Sequence, residues 1–188
     1  AFNKDGFELF NNRTYVFLGD GCMQEGVASE AASMAGHLGL KNLIAFYDDN
    51  HITIDGDTNC AFTEDVGKRF ESYNWNVLTV KNGDEDLSAL WDAIVKAQQE
   101  KERPTLVCVQ TTIGFGSLNQ GKASVHGAPL KEDDIAQLKT KFGFNPEEKF
   151  VVPHDVRDAY KSYAERGAAK RAEWLKLRTL VSTWITSA

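Results

Sequence analysis

The sequence is poor in cysteine, in surplus positive charge and in long apolar runs, and each shortage closes off a class of function. Only three cysteines occur, Cys22, Cys60 and Cys108. They lie far apart, an odd count rules out full internal pairing, and no CxxC or Cys/His ligand spacing is present. Reduced thiols in a cytoplasmic protein are the expectation. Acidic side chains outnumber basic ones, 27 against 21, for a formal net charge of -6. That balance argues against nucleic acid or an anionic membrane surface as the main partner. No apolar run approaches the roughly 20 residues that a membrane helix needs. The first ten residues mix Lys4, Asp5 and Glu8 among aromatics and lack the layout of a signal peptide. The chain opens on Ala1 rather than Met and is expected to begin inside a longer polypeptide. It shows neither internal repeats nor low-complexity tracts.

What is present suits one sizeable core with a short appendage: 188 residues, 42% of them apolar. Residues 14–18 (TYVFL) predict a buried strand that stops at Gly19-Asp20-Gly21. From 24 to 40, Val27, Ala28, Ala31, Ala35 and Leu38 recur at helical spacing, predicting a helix packed closely on something flat. Residues 42–47 predict a second strand, followed by Asp48, Asp49 and Asn50. A short helix is expected over 65–73 and a third strand over 76–81. An amphipathic helix is expected over 86–102, with Leu87, Leu90, Ile94 and Ala97 on one face. Residues 105–111 predict a fourth strand, then come a Gly-rich stretch over 114–127 and a helix over 131–142. Alternation of this kind predicts an α/β fold, a doubly wound, mostly parallel sheet with helices on both faces. The expected division is an α/β domain over 1–148, then a linker and helical tail over 149–188.

Ligands of such sheets bind beyond the carboxyl ends of the strands. Here those ends carry Gly19-Asp20-Gly21, then Asp48-Asp49-Asn50, then Thr112-Ile113-Gly114. Asn50 follows Asp20 by 30 residues, about one strand–helix–strand unit, which returns the chain to the neighbouring carboxyl edge. One carboxylate, one amide oxygen and main-chain carbonyls suit a hard cation such as Mg²⁺ and leave positions for phosphate oxygens. A helix start near Gln24 and the small Gly21 would suit a diphosphate there. Alone, the GDG reads as a turn and the two aspartates as loop caps; the pair of motifs together is what points to a cation.

The strings Gly19-Asp20-Gly21-Cys22-Met23-Gln24-Glu25-Gly26, Tyr47-Asp48-Asp49-Asn50 and Ile52-Thr53-Ile54-Asp55-Gly56 resemble the thiamine-diphosphate motif of the transketolase family. Thr111-Thr112-Ile113-Gly114-Phe115-Gly116-Ser117 and Ser124-Val125-His126-Gly127-Ala128-Pro129-Leu130 resemble a second signature of the same family. Agreement runs over about residues 7–153 and does not extend into the tail. The resemblance implies that Asp20 and Asn50 ligate Mg²⁺ through side chains (Ca²⁺ able to substitute) and Ile52 through its carbonyl. It implies Gly21 N–H on the diphosphate of thiamine diphosphate, Ile54 and Ile113 around the thiazolium ring, and Glu25 and Asp48 orienting the ligands. His126, in a Gly/Ser-rich loop on the same edge, matches the family histidine that contacts cofactor phosphate and substrate. His37, His51 and His154 carry no expected role.

By the same resemblance, the chain is a fragment or subunit of an enzyme moving a two-carbon ketol unit between sugar phosphates. A complete site would need an aminopyrimidine-binding domain from the same protein or another subunit, in a homodimer serving the pentose phosphate pathway. Dihydroxyacetone synthase, with formaldehyde as acceptor, is the near alternative. A 2-oxo-acid dehydrogenase component is disfavoured by SVHGAPL, and a non-catalytic module holding Mg²⁺ and diphosphate is the reading from another class.

Overall fold

Four short runs of apolar and β-branched residues form one sheet, and the helices between them close over it on both sides. The structure is a computed structural model; it describes residue 3 and residues 5–187, with side chains described up to residue 180. Along the chain the elements are β1 (Thr14–Gly19), α1 (Asp20–Met23), α2 (Gly26–His37), β2 (Leu43–Asp49) and α3 (Val66–Ser72). β3 (Asn76–Val80), α4 (Leu87–Gln99), β4 (Thr105–Gln110), α5 (Glu132–Lys141) and α6 (His154–Ser187) follow. The sheet is parallel throughout, in the order β1-β2-β4-β3. This is the doubly wound α/β architecture that the alternation predicts, with a helix in the tail.

The alternation along β2 sorts the core into two layers. Ala45 and Tyr47 join Leu106 and Cys108 of β4 under α2 and α3, which contribute Ala32, Ala35, Val66 and Phe70. Ile44 and Phe46 join Val107 and Val109 on the other face under Ala93 and Ala97 of α4. The helices that carry the chain toward the β3 edge thus cover one face, and the helix that brings it back covers the other, as right-handed crossovers require. Asp65 and Asp86 fix the starts of α3 and α4, accepting hydrogen bonds from Lys68 N and Ala89 N at 3.0 and 2.9 Å.

Three expectations about burial are corrected. The strand over 14–18 is not buried: β1 lies at a sheet edge, with Phe17 81% exposed. An apolar run alone does not distinguish edge from centre, because strand order is a tertiary property. The helix expected over 24–40 begins only at Gly26, after the extended backbone of Glu25, and ends at His37; its buried stripe is Ala32, Ala35 and Gly36, while Val27 and Leu38 are exposed. The smallest residues face inward because the helix approaches so closely; a Cβ on Gly36 would lie 1.7 Å from the Tyr73 carbonyl oxygen. Leu87, in the first turn of α4, is exposed too.

The chain divides into two compact units, Arg13–Pro146 and a second formed by residues up to Asn12 together with those from Glu147 onward. In the second unit Trp174 Nε1 of α6 donates to the Leu9 carbonyl at 2.9 Å. No described helix is long and apolar enough to cross a membrane.

Candidate cofactor and cation site

Parallel pairing places the two polar motifs side by side. Gly19 at the end of β1 pairs in register with Asp48, and Asp49 at the end of β2 pairs with Gln110 of β4. Three strand ends therefore present Asp20, Asp48-Asp49-Asn50 and Thr111 along one edge. Arg69 of α3 braces the first of these segments, donating to the Met23 carbonyl at 3.1 Å and to Ser29 Oγ at 2.9 Å. Its Nε also lies 2.7 Å from Glu64 Oε1, at an angle that makes this a charge contact rather than a hydrogen bond.

The pleat then sorts the side chains into two groups. Tyr47 and Asp49 share one face of β2. The Tyr47 hydroxyl donates to Asp20 Oδ1 at 2.5 Å and lies 3.3 Å from Asp49 Oδ1; His51 Nδ1 is 3.3 Å from that same oxygen. These four residues line a cavity of about 320 Å³, together with Thr58, Asn59, Glu64 and Asp65 among others. On the alternate side, Thr111 donates to Asp48 Oδ1, Asn50 Nδ2 donates to Asp48 Oδ2 at 3.3 Å, and Ile52 N donates to Asn50 Oδ1 at 3.0 Å. Asp48 is thereby clamped between Thr111, just past β4, and the amide of Asn50.

Asp20 is the unusual member. It is 3% exposed, and among the described residues its Oδ2 has no hydrogen-bond partner. Burial raises its pKa, and the nearby Asp49 and Asp48 push the same way, against the Tyr47 hydrogen bond and His51. Tyr47 is raised too, by burial first and then by Asp20. Buried polar atoms are nearly always paired, so an orphaned carboxylate oxygen asks for a missing partner, and an ion is one of the few that fit. The donor set fits as well: a free carboxylate oxygen with an amide oxygen and a carbonyl one strand end away suits Mg²⁺. Space is open above Gly21, where a Cβ would meet nothing within 4 Å, so a diphosphate could approach the backbone. Among the described residues no three His, Cys, Asp or Glu side chains are grouped to hold a metal; a single carboxylate with neutral oxygen donors is a different kind of site.

The other expected site residues lie on loops from the same edge. No hydrogen bond joins Asp20 to Asn50 among the described residues, and Asn50 and Ile52 do not line the cavity. Ile52 bridges Asp57 across a tight turn, and Ile54 sits at its exposed tip. Glu25 is exposed and caps α2 through its carbonyl alone. Ile113, half-buried after β4, accepts from Gly121 N at 2.8 Å. His126 is exposed and ends a short 3-10 turn, its N–H donating to Ala123 O at 2.9 Å. The loop that carries Ile113 and His126 is pinned by Asp134 of α5, 3% exposed. Its carboxylate accepts from Ser117 Oγ at 2.6 Å, Leu118 N at 3.0 Å and Gln137 Nε2 at 2.8 Å.

Sequence reasoning assigned no role to Tyr47, Asp49, His51 or Asp134. The signal for the first three was available, since period-two alternation puts 47 and 49 on one strand face and 48 on the other. Asp134 sits in an acidic helix start, where nothing marks one carboxylate as the buried one.

A parallel α/β sheet with an orphaned acid and Gly-containing loops at its carboxyl edge defines a domain of the cofactor-binding kind. A family model described as "Transketolase, thiamine diphosphate binding domain" matches residues 1–185, and the chain belongs to that family. Transketolase of Kluyveromyces lactis is 62% identical over 175 residues, which are 93% of this chain and 26% of that protein. Dihydroxyacetone synthase of Pichia angusta is 44% identical over 177 residues, 94% of this chain and 25% of that protein. The crystal structure of a Pichia stipitis transketolase in complex with sedoheptulose-7-phosphate superposes with a TM-score of 0.89 at 55% identity, covering 94% of this chain and 26% of that one. The chain thus spans about a quarter of the length of the relatives it matches.

Proposed function

We propose that this chain supplies the diphosphate grip of a thiamine-diphosphate-dependent ketol transferase, acting on sugar phosphates within a longer or dimeric protein. The observation that carries the reading is the buried, unpartnered Oδ2 of Asp20 at the end of β1. Asp20 would give the cation its one charged ligand, Asn50 its amide oxygen and Ile52 its carbonyl, with Mg²⁺ the ion and Ca²⁺ able to substitute. Gly21 N–H would face the diphosphate, Glu25 would support the ligands from the start of α2, and Ile54 and Ile113 would give the ring an apolar wall.

When bound, thiamine diphosphate would supply the nucleophilic ring carbon for chemistry at a ketose carbonyl. The residues here position and neutralise; none of them replaces the aminopyrimidine-binding domain, which another part of the protein or a partner subunit would provide. His126 would donate a hydrogen bond to phosphate and to the substrate oxygen that gains charge, the kind of donor that electrostatic catalysis rests on. A cytoplasmic place in pentose phosphate interconversion follows from the same reading.

The identities favour transketolase over dihydroxyacetone synthase, 62% against 44%. The test is an assay of the full-length protein with sedoheptulose-7-phosphate as donor and either an aldose phosphate or formaldehyde as acceptor. Faster transfer to the aldose phosphate, dependent on both Mg²⁺ and thiamine diphosphate, is expected. Faster transfer to formaldehyde would favour the synthase, and cofactor binding without any transfer would favour a non-catalytic module.

A further inference from the structure

The loop between β4 and α5 carries Ile113 and His126, and its own sequence does little to hold its shape. Gly114 and Gly116 both take positive φ, in residues that give up the most backbone freedom on folding. What holds the loop is a buried acid on the next helix. Asp134 lies in the first turn of α5 beside the exposed Glu132 and Asp133, yet the donors it accepts from are not backbone N–H groups of its own helix. Oδ2 accepts from Ser117 Oγ, and Oδ1 from Leu118 N and Gln137 Nε2, so both oxygens tie the loop to α5. Gln137 extends the hold, donating also to the Gly116 carbonyl at 3.1 Å. Two contacts carry it on to His126. Gly121 N donates to Ile113 O at 2.8 Å, closing the loop on itself. The Val125 side chain rests on Gly114, where a Cβ would lie 2.9 Å from Val125 Cγ2, and His126 is the next residue. The stem is fixed separately, with Thr112 N donating to Asp84 Oδ1 at 3.1 Å.

We propose that Asp134 is a positioning residue for turnover: by anchoring residues 116–118 to α5 it fixes the seat of Val125, and so the place from which His126 meets the substrate. The proposal rests on the assignment of His126 as a substrate contact. His126 is exposed at the end of a short 3-10 turn, so its position is set by the backbone beneath it. A displacement of about 1 Å at a group that meets the reacting atoms can cost about 10²-fold in rate. The residues assigned to cation and diphosphate lie at and just beyond the ends of β1 and β2, and the bonds of Asp134 go to none of them. Loss of Asp134 should therefore reach turnover and spare cofactor binding. An acid that served stability alone would behave differently, because its loss would lower the folded fraction whatever residue stood at position 126.

The experiment is a double-mutant cycle in the full-length protein, with Mg²⁺ and thiamine diphosphate saturating, sedoheptulose-7-phosphate as donor and an aldose phosphate as acceptor. Wild type, Asp134→Ala, His126→Ala and the double variant are compared for kcat, and the affinity for thiamine diphosphate is titrated beside it. Asp134→Ala, which removes all three bonds to the carboxylate, should lower kcat by about 10²-fold. Its cofactor affinity should stay within about 2-fold of wild type. In the His126→Ala background the same change should cost no more than about 2-fold, because its route runs through His126. An equal loss in both backgrounds, no loss in either, or a joint loss of cofactor affinity and turnover overturns the proposal while leaving His126 its role. Near-normal turnover in His126→Ala overturns the reading of His126 and this proposal with it. Ser117→Ala, which removes one bond only, repeats the cycle should Asp134→Ala not fold, and should show the same coupling to His126 with a smaller loss.

Discussion

Replacing Asp20 by asparagine should stabilise the ligand-free protein while removing its response to cation and cofactor. An unpaired buried polar atom costs about 1–3 kcal/mol, and more when charged. In Asp20→Asn the Tyr47 hydroxyl still has an amide oxygen to donate to. The new amide nitrogen takes the place of the orphaned Oδ2, close to the acidic Asp48 and Asp49 that now oppose the charge on Asp20. Unfolding free energy without ligand should therefore rise by about 1–2 kcal/mol. Wild type should overtake the variant once ligand is added, since binding at about 100 times Kd contributes about 2.7 kcal/mol. Urea unfolding of the full-length protein, with and without Mg²⁺ and thiamine diphosphate, reads both halves. A variant that is less stable without ligand, or that keeps the full ligand-induced shift, refutes the reasoning, because Asp20 would then be a structural acid.

Three further outcomes are expected. The hydrogen bond from Ser117, then that from Leu118 N, holds the Asp134 carboxyl below its ordinary range, so its stabilising effect is complete above about pH 4 and is lost as pH falls through the depressed folded-state value. Hydrogen exchange at the Leu118 amide should accordingly lose protection on acidification in wild type, and show little dependence over that range in Asp134→Asn. Burial, with help from Asp49, pushes the Cys108 thiol up to about 12; alkylation at pH 8 followed by peptide mass spectrometry should modify the exposed Cys22 and Cys60 and spare Cys108 until the protein unfolds. His126→Ala should lower turnover of the full-length enzyme by about 10²- to 10³-fold while leaving Mg²⁺ affinity close to wild type, measured by steady-state kinetics beside a metal titration.

Much of the scaffold was legible because local chemistry dictates it. Asp65 and Asp86 announce the helices they cap, and the runs at 42–47, 76–81 and 105–111 are too apolar and β-branched to be loops between such helices. The 30 residues from Asp20 to Asn50 correctly implied that β1 and β2 are neighbours. What could not be read was tertiary. Nothing in TYVFL says edge rather than centre, and nothing in the order of β3 and β4 says that the later strand takes the inner place. At the site, the residue types were visible in sequence but their sorting was not. A linear motif reads Tyr47 to Asn50 as one cluster, whereas the pleat sends Tyr47 and Asp49 toward Asp20 and leaves Asp48 to Thr111 and Asn50.

The measurement that bears most directly on the account is the position of the cation itself. Crystals of the full-length protein grown with thiamine diphosphate and Ca²⁺, whose anomalous signal marks it, would show where the ion lies. The expected result is a peak about 2.3–2.6 Å from Asp20 Oδ2, Asn50 Oδ1 and the Ile52 carbonyl, with diphosphate oxygens completing the shell. A cation bound elsewhere, with Asp20 Oδ2 left to a protein hydrogen bond, would contradict the central claim.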